Sequence, residues 1–142
     1  MKKMILPLML VLATSMIAIS ALAQIDVHAE LEGKGHIKVD GTRYYGEGSV
    51  QILFITFSGN VEGHPEGETG KAIILTIDGE SFVWHVTKEK VRANGKIILL
   101  KAEPHPLEGT ITPDYPIRVL VRHVPERPLI VIAGRRTAFV AK

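Results

Sequence analysis

Cysteine is absent from the chain, so neither disulfides nor thiolate metal sites can hold it, and burial with backbone pairing must do so instead. Asparagine and glutamine occur only twice each, and depletion of these heat-labile residues together with cysteine is a thermophile's composition. Aromatic residues make up 6% of the chain, with one tryptophan, which leaves few rings for stacking on nucleic-acid bases. A nucleophile elbow such as Gly-x-Ser-x-Gly is also missing. The serines beyond the N-terminal segment, Ser49, Ser58 and Ser81, fall at strand or turn positions, so the chain reads as non-enzymatic.

Charge is missing from Met4 to Ala23, a stretch of 20 residues behind Lys2 and Lys3. A cationic start, an apolar stretch and the small residues of Ala21-Leu22-Ala23 form the pattern of a signal peptide over residues 1–23, cut before Gln24. An uncleaved anchor is the alternative, because 20 uncharged residues can just span a bilayer. Pro7, Thr14, Ser15 and Ser20 favour cleavage. The expected address is secreted or cell-envelope, in a bacterium or archaeon, and residues 24–142 then form a single domain with one core.

Without Lys2 and Lys3 the chain holds 15 basic and 15 acidic residues. They are segregated. Residues 24–89 carry 11 acidic and 5 basic side chains, and residues 90–142 carry 4 acidic and 10 basic. The expectation is that acidic and basic strands lie side by side and neutralise one another.

Helical periodicity is scarce and period-two alternation common, which predicts antiparallel strands. Reading Gly33–Gly35 as a hairpin loop sets Glu32 against His36, Glu30 against Lys38 and His28 against Asp40. Asp78-Gly79 is a preferred type I′ turn pair, so Leu75 faces Phe82, Ile73 faces Trp84 and Ile74 faces Val83, with Trp84 in the core and His85 on the opposite face, half buried. The stretch Thr87–Ala93 is either a helical turn or the outgoing arm of a hairpin. Three proline pairs, Pro104 and Pro106, Pro113 and Pro116, Pro125 and Pro128, mark strand boundaries, since proline cannot donate to a ladder. The expected fold is all-β, an antiparallel β-sandwich or partly closed β-barrel of about eight to ten short strands.

Chemistry has few places to sit. VEGHPEGETG, residues 61–70, gathers one His and three Glu among glycines, and its plainest reading is a solvated connector. The metal alternative, zinc or copper, takes His64 and Glu66 from this loop and His105 from EPHPLEG. A third reading uses the Arg-rich second half: Arg118, Arg122, Arg135 and Arg136 would bind an anionic glycan or lipid headgroup. Nucleic acid is not an expected partner of an exported chain. The leading expectation is a small binding or envelope-structural module that meets envelope components or glycans through its surface.

Overall fold

The computed structural model describes residues 30–59, 61 and 63–142. The signal peptide, the cleavage point before Gln24 and His28, set against Asp40 from the sequence, lie outside these residues. Eight strands follow one another: β1 Leu31–Val39, β2 Thr42–Thr56, β3 Thr69–Ile77, β4 Glu80–Arg92, β5 Ile97–Pro104, β6 Ile117–Arg122, β7 Leu129–Gly134 and β8 Thr137–Ala141. Each pairs antiparallel with the next, and β8 returns to β1, which makes a closed up-and-down barrel. Closure gives every strand a neighbour on both sides, so the barrel has no edge strand, although β4 runs on beyond His85, where its pairing with β3 stops. The all-β antiparallel class and the strand number are as expected; closure is complete rather than partial, and β2 and β4 are long, at 15 and 13 residues.

Alternation decides which side chains fill the lumen. Ile37, Val50, Ile73, Leu75, Trp84, Ile132 and Phe139 are each buried within it, while the residues between them face outward. Apolar inside and charged outside is the reverse of the alternation of a lipid-spanning barrel. Trp84 is held by its indole N–H, which donates to the Tyr115 carbonyl at 3.0 Å. Among the described residues no helix is long and apolar enough to cross a membrane.

The Asp78-Gly79 hairpin has the predicted register, and both turn residues sit at positive φ, 57° and 77°, as a type I′ turn requires. Pro104 ends β5, and Pro116 and Pro128 precede β6 and β7. Thr87–Arg92 is the hairpin arm, closed by a short 3-10 turn at Ala93–Gly95.

The Gly33–Gly35 hairpin is corrected. Those residues lie inside β1, and the turn is Asp40-Gly41, with φ of 49° and 80°. Glu32 pairs with Ser49 and His36 with Tyr45, not with each other. Gly33 and Gly35 stand opposite Gly48 and Gly46, and they let β1 pass very close to β8. A Cβ on Gly35 would lie 2.5 Å from the Phe139 Cα and closer still to the Ala138 carbonyl oxygen. The two Gly-x-Gly segments are therefore one cross-strand glycine corner of the barrel.

Candidate functional site

Two features of the outer wall carry unusual chemistry. The first lies over β3 and β4, whose outward residues Ala72, Val83 and His85 are buried although they point away from the lumen. Their cover is the segment after β2. Phe57, fully buried, lies against Gly70, where an added Cβ would come within 2.5 Å of its ring. VEGHPEGETG is no loose connector: Phe57 N–H donates to the Glu68 carbonyl, Gly67 N–H to that of Phe57 and His64 N–H to that of Val61, each at 2.8 Å.

Around Phe57 stand three imidazoles. His64 stacks on its ring at 4.2 Å between centroids, while His85 and His105 meet it edge to face at 5.2 and 5.4 Å. His85 is 5.1 Å from His64 and 5.6 Å from His105. His64 fills a gap in the sheet, since β3 stops pairing with β4 at Ala72 and His85. Its Nε2 faces the Val86 carbonyl oxygen at 3.3 Å and its Nδ1 the Glu68 carboxylate at 3.1 Å. Both partners are acceptors, so only the doubly protonated ring donates to both.

His105 is buried, and its Nδ1 has no hydrogen-bond partner. Burial, followed by the nearby charge of His64, pushes its pKa below the ordinary 6.5. The unfolded chain therefore binds the proton more readily than the fold does. Stability from this residue is complete above about pH 6.5 and is lost as the pH falls through and below that value. A thermal melt series from pH 7.5 to pH 4.5 is expected to show a smaller fall in midpoint for His105→Phe than for the parent chain. Equal falls would remove His105 as the cause.

Of the predicted metal residues, the fold brings His64 and His105 together, both against Phe57 and His85. Their rings are no farther apart than the sum of their distances to Phe57. Glu66 is exposed on the loop, and the carboxylate that meets His64 is that of Glu68 instead. Among the described residues no three His, Asp or Glu side chains are placed to hold a metal ion, and both His64 nitrogens already face protein acceptors. His85, read from the sequence as half buried, is a buried member of the cluster.

The second feature adjoins the first along β4. A β-bulge between Val86 and Lys88 shifts the alternation by one residue, with Thr87 Oγ1 donating to the Lys101 carbonyl at 3.3 Å. Beyond it Lys88 and Lys90 face outward and Glu89 turns inward to an ion pair with Lys71. One register level then holds Lys88, Lys101, Arg118 and Ala133 directly opposite one another on four successive strands. The next outward level holds Lys90, Leu99, Leu120, Val131 and Val140. Lys88, Lys90, Leu99, Lys101, Arg118 and Leu120 line a groove of about 460 Å³, within the size range of small-molecule sites.

The predicted arginines are divided by the fold. Arg118 lines the groove; Arg122 lies farther along the same face of β6 and donates from Nε to the Arg127 carbonyl at 2.9 Å. Arg135 and Arg136 sit in the β7–β8 turn, where Arg135 stands over the Tyr115 ring at 4.9 Å. Neutralisation between neighbouring strands, expected from the sequence, fails here. An up-and-down order keeps chain neighbours adjacent, so charge segregated along the sequence stays segregated around the barrel. Comparison with protein-family models, with curated proteins and with solved structures finds no match.

Proposed function

We propose that this chain is a small, exported, non-enzymatic β-barrel module that binds an anionic ligand on its outer wall. One observation carries the reading: Lys88, Lys101 and Arg118 stand side by side at a single register level of β4, β5 and β6. Directly opposed side chains have Cβ atoms only ~5 Å apart, and like charges there are destabilising. Among the described residues none of the three cations is in an ion pair, since the two pairs are His64 with Glu68 and Lys71 with Glu89. A bound anion relieves that repulsion and accepts their hydrogen bonds. The filled lumen supports a site on the wall rather than inside. Ser81, hydrogen-bonded to Thr76 at 3.0 Å, and the covered imidazoles support binding over turnover.

Titration of the mature chain with inorganic phosphate or methyl phosphate, followed by amide NMR, is expected to move the signals of Lys88, Lys101 and Arg118 together. Affinity should fall as sodium chloride is raised. Lys101→Glu is expected to weaken binding at least tenfold while melting no lower than the parent, because it converts a repulsive row into an attractive one. Salt-insensitive shifts spread over the whole surface would defeat the reading.

A further inference from the structure

We infer that the anion this groove takes is the head of a free aliphatic amphiphile, a single-chain carboxylate, sulfate or phosphate bound as a monomer. The inference rests on the anion site just described and adds its neighbour. Beside the cationic level, two residues farther along each strand, runs the apolar level of Leu99, Leu120, Val131 and Val140. That step is ~7 Å along a strand, so a head held by Lys101 and Arg118 places its chain on Leu99 and Leu120. Crossing from β5 to β8 gives the chain an apolar track of about 14 Å at normal strand spacing. Leu99 and Val140 are 36% and 42% exposed, large apolar side chains left in water unless something covers them.

Charge complementarity selects the occupant. The one acidic residue lining the groove, Glu89, turns its carboxylate inward to Lys71, and on the outer face Glu103 lies one level from Lys101 on the side away from the apolar track. A neutral chain would leave three cations facing one another, and a short anion would leave the leucines wet. Along one side of the groove stand Lys88, at the cationic level, and Lys90, at the level of Leu99, and the methylene stems of such side chains extend apolar surface while the ammonium groups stay in water. A recess of this size between such stems fits one chain rather than a bilayer surface.

The test compares dodecyl phosphate, methyl phosphate and dodecyl maltoside, each below the concentration at which it forms micelles, by calorimetry on the mature chain. Dodecyl phosphate is expected to bind at least tenfold tighter than methyl phosphate, since burying about two methylenes suffices for that factor. Leu99→Gln should bring dodecyl phosphate down to the affinity of methyl phosphate, and circular dichroism should show that the variant is folded. Equal affinity for the two phosphates in the parent would overturn this inference and leave the anion site standing. Failure of both phosphates to bind would overturn the two together, whereas dodecyl maltoside binding as tightly as dodecyl phosphate would overturn this inference and leave the anion site to the methyl phosphate result. Binding to vesicles of anionic lipid without binding of the monomer would replace the free amphiphile by a membrane surface and overturn the inference.

Discussion

Gly35→Val is expected to prevent closure of the barrel. Gly35 lies in β1 opposite Phe139 of β8, and the branched side chain would enter the space of the Ala138 carbonyl and the Phe139 Cα. Those are backbone atoms of a paired strand, so no rotamer change makes room. Either β1 moves away from β8 or the seam opens. Overpacking costs about 1–3 kcal/mol where side chains can yield, and here the cost should lie at or above the top of that range. An open seam also exposes two strand edges, which invites self-association. Urea unfolding and size-exclusion chromatography read both effects. Gly41→Ala is the control: Gly41 has a φ of 80° with nothing near its missing Cβ, so only the left-handed backbone penalty of about 1–2 kcal/mol applies. Comparable losses in the two variants would show that the close approach of β1 and β8 does not matter.

Trp84→Ala is expected to cost about 3–5 kcal/mol, the range for removing a large aromatic side chain from a core. Trp84 is fully buried, and two consequences follow from its loss. The lumen gains a cavity between strands that closure prevents from collapsing together, and the Tyr115 carbonyl loses the indole donor at 3.0 Å. Trp84→Phe keeps much of the volume and loses the hydrogen bond, so it should cost less, with about 1 kcal/mol assignable to the bond. Urea melts followed by circular dichroism check the order, since Trp84 is the chain's only tryptophan and its fluorescence vanishes with it. A Trp84→Ala chain as stable as Trp84→Phe would mean that the lumen can repack.

The proposed site was partly legible. Segregation of the charge follows from residue order alone, and Arg118, one of the four arginines taken from it, lines the groove. Lys88 and Lys90 are hidden in the sequence, because alternation carried on without interruption from the inward Val86 would turn both inward, and Lys101 joins them only through the pairing of β4 with β5. The bulge after Val86 reverses it, and an inserted residue in a ladder is visible only when the partner strand is in place. The histidine cluster shows the same limit. His64 and His105 were singled out as ligands on residue type, yet their neighbours Phe57 and His85 come from the segment after β2 and from β4, and Glu68 replaced Glu66 through the turn geometry of the loop.

Local chemistry alone determined a good deal of this protein: period-two alternation made strands, Asp78-Gly79 made a hairpin of known register, and three prolines marked where strands begin or end. These effects act over a few residues and need no distant partner. The GKG segment was misread because a Gly-x-Gly serves a tight turn or a close strand approach equally well, and only β8 passing beside β1 distinguishes them. Tertiary structure decided barrel over sandwich, the cover over β3 and β4, and the row of cations on the outer wall. Each depends on pairing between segments far apart in the chain, and a pattern that buries one face of every strand is satisfied by more than one way of closing the sheet.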